Sequence, residues 1–146
     1  MEEDMMEENY NVFRRVNKEL TGEDIMMLSP LQLAYIGDSV YELLVRSYLI
    51  TKGIAVKDLH KATTSYVKAK AQAKFAHGLE EKLSEEEKAI IKKGRNAKSN
   101  TSPKNTDIID YKYATGFECL FGYLYLMNLD ERIEQLFEEL IKIDIE

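Results

Sequence analysis

Two acids stand where a helical chain has least use for them. Asp38 sits in the middle of LQLAYIGDSVYELLVR, and Glu118 in the middle of YATGFECLFGYLYL. Small residues flank both: Gly37 and Ser39 beside the first, Gly116, Cys119 and Gly122 around the second. A buried, unpaired carboxylate costs several kcal/mol, so each acid needs a cation, a donor network or an opening to water. If the two small faces meet, the carboxylates converge, and two close carboxylates cannot both stay ionised without a neutralising cation. Magnesium accepts one or two carboxylates while keeping several waters. Held there, such an ion activates water and stabilises charge on a phosphate in transit. The alternative is structural: one or both acids pair with Arg46, Arg95 or a tyrosine hydroxyl. Glu42, one turn after Asp38, could reach the ion's water or equally pair with a lysine.

The elements that must carry these acids are predicted from caps and periodicity. Leu28 to Gly53 forms one long helix: Ser29 and Gln32 make a capping box, Pro30 fits the first helical position, and Gly53 ends it. Its apolar residues cover most of the circumference, which buries it. A second apolar helix runs from about Asp107 or Asp110 to Asn128, with small residues three and four apart that let another helix approach closely. Around these two, the pattern gives a helix near Tyr10 to Leu20 with Val12, Phe13 and Val16 inward. A short one follows near Val56 to Thr63, then a longer one from Ser65 to His77, ended by Gly78. The Ser84–Glu87 capping box opens a helix closed by Gly94, and Asp130 caps a last amphipathic helix. No strand alternation or internal repeat is present. The expectation is an all-α chain of about six or seven helices, with an acidic flexible N-terminus over residues 1–9 and one domain over 10–146.

The chain has 146 residues and a net charge of −6. Residues 57–104 nevertheless hold 12 Lys and Arg against 6 Asp and Glu, so one face can attract a polyanion while the rest stays acidic. Within that stretch the loop GRNAKSNTSPKNT contains Arg95, Lys98 and Lys104 and no acid; its bland reading is a solvated connector. Cys119 is the single cysteine and is expected to be a small core residue. His60 and His77 are isolated, which argues against zinc. The acidic N-terminus is unlike a secretory signal and no run is apolar enough to span a bilayer, so a cytoplasmic location is expected.

LSPLQLAYIGDSVYELLVR resembles the signature segment of the ribonuclease III catalytic domain, and more narrowly that of mini-ribonuclease III, the bacterial form without a double-stranded-RNA-binding domain. HKATTSYVKAKAQA, KGRNAKSNTSPKN and YKYATGFECLFGYLYL fit the same family in order and spacing. The resemblance implies an all-helical homodimer that uses magnesium to hydrolyse double-stranded RNA, leaving 5′-phosphate ends, in maturation of the 23S ribosomal RNA precursor. It places the family's signature aspartate on Asp38 and the glutamate of its second acidic motif on Glu118, as catalytic residues and metal ligands. Two further acids of ordinary ribonuclease III domains fall on Ala34 and Thr115, which leaves the metal count open. With that resemblance, Lys93, Arg95, Asn96, Lys98, Ser99 and Lys104, together with Gln72, become candidate contacts for the phosphates and 2′-hydroxyls of an A-form duplex. Tyr35, Ile36 and Val40 are candidates for the dimer seam, or for monomer core. A ribosomal protein that presents the substrate is a further partner to consider. The competing function is a non-cleaving binding module whose reduced acid set no longer cuts.

Overall fold

The computed structural model describes residues 11–98 and 107–144. Among them the chain forms α1 (Val12–Arg15), α2 (Gly22–Met26), α3 (Pro30–Ile50), α4 (Val56–Val67), α5 (Ala69–Leu79), a 3-10 turn (Glu80–Lys82), α6 (Glu85–Arg95), α7 (Ile108–Leu126) and α8 (Asp130–Leu140). No described residue lies in a strand, so the all-α expectation holds. None of these helices is long and apolar enough to cross a membrane.

Helix α7 is the axis of the molecule, with α3, α5 and α6 packed around it. Its buried residues, Phe117, Leu120, Phe121 and Leu124 among them, face several directions because neighbours surround it. Tyr41 of α3 meets Phe117 edge-on at 4.9 Å between centroids, a favoured arrangement of two aromatic rings. Both predicted capping boxes form: Ser29 with Gln32 opens α3, and Ser84 with Glu87 opens α6. Asp107 caps α7 by accepting from the backbone of Ile109 and Asp110.

Helix α3 touches α7 backbone to backbone. A Cβ on Gly37 would lie 1.7 Å from the carbonyl oxygen of Glu118, and one on Gly122 would lie 2.0 Å from that of Leu33. On the other flank, a Cβ on Gly116 would meet the carbonyl oxygen of Ile91 at 2.4 Å, and one on Gly94 would meet Cys119 Sγ at 2.7 Å. Gly94 is thus a packing residue inside α6, not the stop the sequence predicted; the helix runs on to Arg95. Gly78 is likewise inside α5, against Ile143.

The N-terminal expectation fails. Helix α1 is a single turn, too short to present a two-turn apolar stripe, and Val12, Phe13 and Val16 are exposed. What docks is Arg14. Its guanidinium lies over the Tyr125 ring at 4.3 Å and binds both carboxylate oxygens of Asp130. Asp130 is therefore engaged by Arg14 and does not cap α8, whose N-cap is Leu129.

Candidate functional site

Helix α3 brings Asp38 and α7 brings Glu118 to the same place, and the glycine contact is the reason. With Gly37 seated on the Glu118 carbonyl, the adjacent Asp38 side chain comes within hydrogen-bonding reach of the Glu118 carboxyl group. Asp38 is exposed and Glu118 is half-buried, so the pair opens outward from a floor of core residues. Burial first, and then the charge of Asp38, push the Glu118 carboxyl up to about 8. The structural alternatives are occupied elsewhere: Arg46 pairs with Glu42 at 3.1 Å, and Arg95 donates to the Tyr113 hydroxyl at 3.1 Å.

Gln72 is on α5, which packs against α7. It was expected on an RNA-facing surface, but it is 2% exposed. Its Nε2 donates to the Val67 carbonyl at 2.7 Å. Its Oε1 is buried with no hydrogen-bond partner, a condition that costs about 1–3 kcal/mol in a finished core. The sequence carried a signal for this burial. Gln72 is three residues after Ala69 and four before Ala76, on the apolar side of its helix.

The donors present suit a magnesium ion. Two hard carboxylate groups converge, and their mutual repulsion is relieved by a divalent cation. No group of three or more His, Cys, Asp or Glu side chains comes together among the described residues, so the ion would rest on these two carboxylates and its own water. Thr115 is no replacement ligand: its hydroxyl donates to the Tyr111 carbonyl at 3.0 Å, one turn back. Ala34 is buried and offers no donor. Cys119 is fully buried, its thiol donates to the Pro30 carbonyl at 2.9 Å, and burial pushes it up to about 12, so it is no nucleophile.

The cationic residues gather at the end of α6. Lys93 and Lys98 are exposed, Asn96 is the exposed C-cap, and Arg95 is half-buried over the Tyr113 ring. Ser99 and Lys104 lie outside the described residues. Tyr113, which sequence reasoning passed over, anchors Arg95 by its hydroxyl and packs against His77, the rings tilted with centroids 4.2 Å apart. Of the three dimer-seam candidates, Tyr35 is 83% exposed, while Ile36 and Val40 are half-buried.

Residues 31–129 match the Ribonuclease III domain. The chain is 48% identical to Mini-ribonuclease 3 of Clostridium tetani over 130 residues, covering 88% of this chain and 86% of that protein. It is 47% identical to Mini-ribonuclease 3 of a Thermoanaerobacter species over 139 residues, covering 94% of this chain and 98% of the relative. The fold is similar to a crystal structure of a protein from Fusobacterium nucleatum, with a TM-score of 0.73 at 33% identity, covering 79% of this chain and 94% of the other. A converging acid pair on two helices joined at glycine, a ribonuclease III domain over residues 31–129 and relatives matched over most of their length lead to one assignment: the chain belongs to the ribonuclease III family, in its mini-ribonuclease III branch.

Proposed function

We propose that this chain is a magnesium-dependent endoribonuclease that hydrolyses phosphodiester bonds of double-stranded RNA as a homodimer. Membership of the ribonuclease III family supports the RNA-cleaving activity. The observation that carries the rest is the convergence of Asp38 and Glu118, two carboxylates whose shared negative charge invites a divalent cation at an outward-facing opening. When bound, magnesium would polarise the scissile phosphate and activate the attacking water. Asp38, the exposed member, faces incoming RNA, with the half-buried Glu118 behind it. Hydrolysis on this scheme leaves a 5′-phosphate.

Duplex RNA is gripped by Lys93, Arg95, Asn96 and Lys98, continued by Ser99 and Lys104. Amines and guanidinium take phosphates, and the small polar side chains take 2′-hydroxyls, the groups an A-form minor groove displays. Two copies pair across Tyr35, beside which Ile36 and Val40 line a groove of about 600 Å³ with Leu43, Leu44 and Phe137. A two-fold arrangement presents one acid pair to each strand. The natural substrate is the precursor of 23S ribosomal RNA in the cytoplasm, with a ribosomal protein as presenting partner. A second reading, a non-cleaving RNA-binding module, draws on the absence of acids at Ala34 and Thr115.

Incubation of the purified protein with a long RNA duplex, with and without magnesium and beside Asp38→Asn, separates these readings. Metal-dependent cleavage that the substitution nearly abolishes is the expected result. Cleavage without metal, or full activity in the variant, refutes the mechanism; retention of duplex without cleavage favours the second reading.

A further inference from the structure

Three cations share one face of α6. Lys88, Lys92 and Arg95 follow one another at steps of four and three residues, the spacing that lines side chains along one side of a helix. Like charges so placed repel. The chain holds 26 acids against 20 Lys and Arg, yet it leaves this stripe poorly neutralised. Lys88 meets Glu85 at 3.5 Å, a loose pair with Glu85 almost wholly in solvent. Among the described residues Lys92 and Arg95 form no ion pair, whereas Arg14, Arg46, Lys82, Arg132 and Lys142 each do. The negative end of the α6 dipole favours cations in the last turn, but Lys88 stands before that turn.

The stripe borders a cleft. A cavity of about 90 Å³ lies between α6, the end of α5 and the start of α7, and all three cations line it. That is room for a few water-sized groups, enough for one phosphate. Ala76, Leu83 and Ile91 line it as well and are buried, so the charges act beside apolar surface, where the effective dielectric is lower than in open water. Tyr113 of α7 fixes the arrangement. Its ring packs against His77, and the Arg95 guanidinium lies over the same ring and donates to its hydroxyl at 3.1 Å. Arg95 is thereby held in place without its charge being cancelled. Among the described residues that line the cleft, Glu80 is the single acid against three cations. Asp38 and Glu118 are not part of the lining, so the cleft is separate from the acid pair.

We propose that this cleft binds one phosphate group, with Lys88, Lys92 and Arg95 as its donors. For the source of that phosphate the proposal rests on the duplex-binding reading given above: a backbone phosphate of bound RNA enters the cleft, and the grip extends from Arg95 back along α6 to Lys88. A free phosphate offers the same chemistry, and the experiment tells the two apart.

Magnesium is left out throughout, so cleavage plays no part. Inorganic phosphate is titrated into the full-length protein against chloride at equal ionic strength, and NMR spectra follow the backbone amides and the Arg95 side chain. The expected result is a phosphate-specific shift confined to the cleft. Lys88→Gln and Lys92→Gln weaken it about tenfold, the size of one lost charge-assisted hydrogen bond, and Glu80→Gln, which removes the opposing charge, strengthens it. Filter binding of an RNA duplex over a salt series follows on the same proteins. Each lysine variant of the cleft is expected to lower the salt slope by about one. Lys52→Gln is the control for net charge: Lys52 lies over the Tyr48 ring and does not line the cleft, so the parent slope is kept. A phosphate shift in the cleft with the duplex slope unchanged supports the site and assigns it to a free phosphate. Identical spectra in phosphate and chloride overturn the proposal, whether or not the protein cleaves RNA. Equal phosphate affinity in Lys88→Gln, Lys92→Gln and the parent also overturns it. Failure of the parent to bind duplex refutes the reading of duplex grip, and the phosphate titration still decides the cleft.

Discussion

Gly37→Ala sets two energies against each other, and the geometry decides between them. In a helix interior alanine is favoured over glycine by about 1 kcal/mol, so propensity alone predicts a more stable protein. The added methyl, however, would lie 1.7 Å from the Glu118 carbonyl oxygen and 2.7 Å from both Glu118 C and Gly122 N. All three are backbone atoms, so no rotamer change relieves the contact. Since real Cβ contacts begin near 3.0 Å, the two helix backbones must part by about 1.3 Å. Overpacking of this kind costs about 3 kcal/mol or more, which leaves a net loss of at least about 2 kcal/mol after the propensity gain. For a chain of this size that lowers the melting temperature by about 6 °C or more. The same separation carries Glu118 away from Asp38, and a displacement of about 1 Å at a reacting centre costs on the order of a hundredfold in rate. Thermal melts by circular dichroism, paired with a duplex-cleavage assay at saturating magnesium, measure both effects. Gly22→Ala is the control, because a Cβ there meets only Met127 Cε at 3.9 Å. A Gly37→Ala protein as stable as the parent and as active would refute the claim that this backbone contact positions the acids.

Other outcomes follow from the same geometry. The Glu118 carboxyl is raised in the folded, metal-free protein, so its stabilising contribution is complete below the ordinary carboxylate range and is lost as pH rises through about 8. Metal-free melts should therefore fall across that window, added magnesium should restore them, and Asp38→Asn should lessen the pH dependence without removing it, since burial is the larger cause, while destroying activity. Glu87 behaves oppositely. Arg132 holds its carboxyl below the ordinary range through bonds of 2.8 Å, so the contribution is complete above that range and lost as pH falls through it. Arg132→Ala leaves this buried carboxylate only the Ser84 amide as a partner and is expected to cost about 1.5–3 kcal/mol in urea unfolding. Replacing Lys93 or Lys98 by Ala should weaken duplex binding alike for all sequences and reduce the salt slope by about one, as read by filter binding across salt concentrations.

The two capping boxes were legible in the sequence because capping is local chemistry: Ser29 and Ser84 each bond a backbone amide three residues away, and the residue types alone announce it, whereas Asp130, read as a cap, is drawn off by Arg14. The convergence of Asp38 and Glu118 was legible as well, since small residues at helical spacing on two apolar helices leave few ways to pack. The division of the stretch after α3 into two helices was legible too, but its place was not: the break falls at Lys68 and not near Ser65. Nothing in its own neighbourhood breaks the helix; the donors that satisfy the break come from Tyr41, a helix away, and from Gln72. Gly78 and Gly94 looked like terminators because glycine commonly is one, yet here each makes room for a neighbour. Val12, Phe13 and Val16 looked like an inner face because periodicity reports pattern and does not say whether a surface exists to receive it.

The Gly94–Gly116 contact has a consequence beyond packing. It fuses α6 to α7 with almost no slack, so the first cation of the basic arm, at Arg95, and the acid at Glu118 ride on one rigid body. On the function proposed above, the span between a phosphate held at Arg95 and the carboxylates is then a built-in ruler, graduated by a helix–helix spacing.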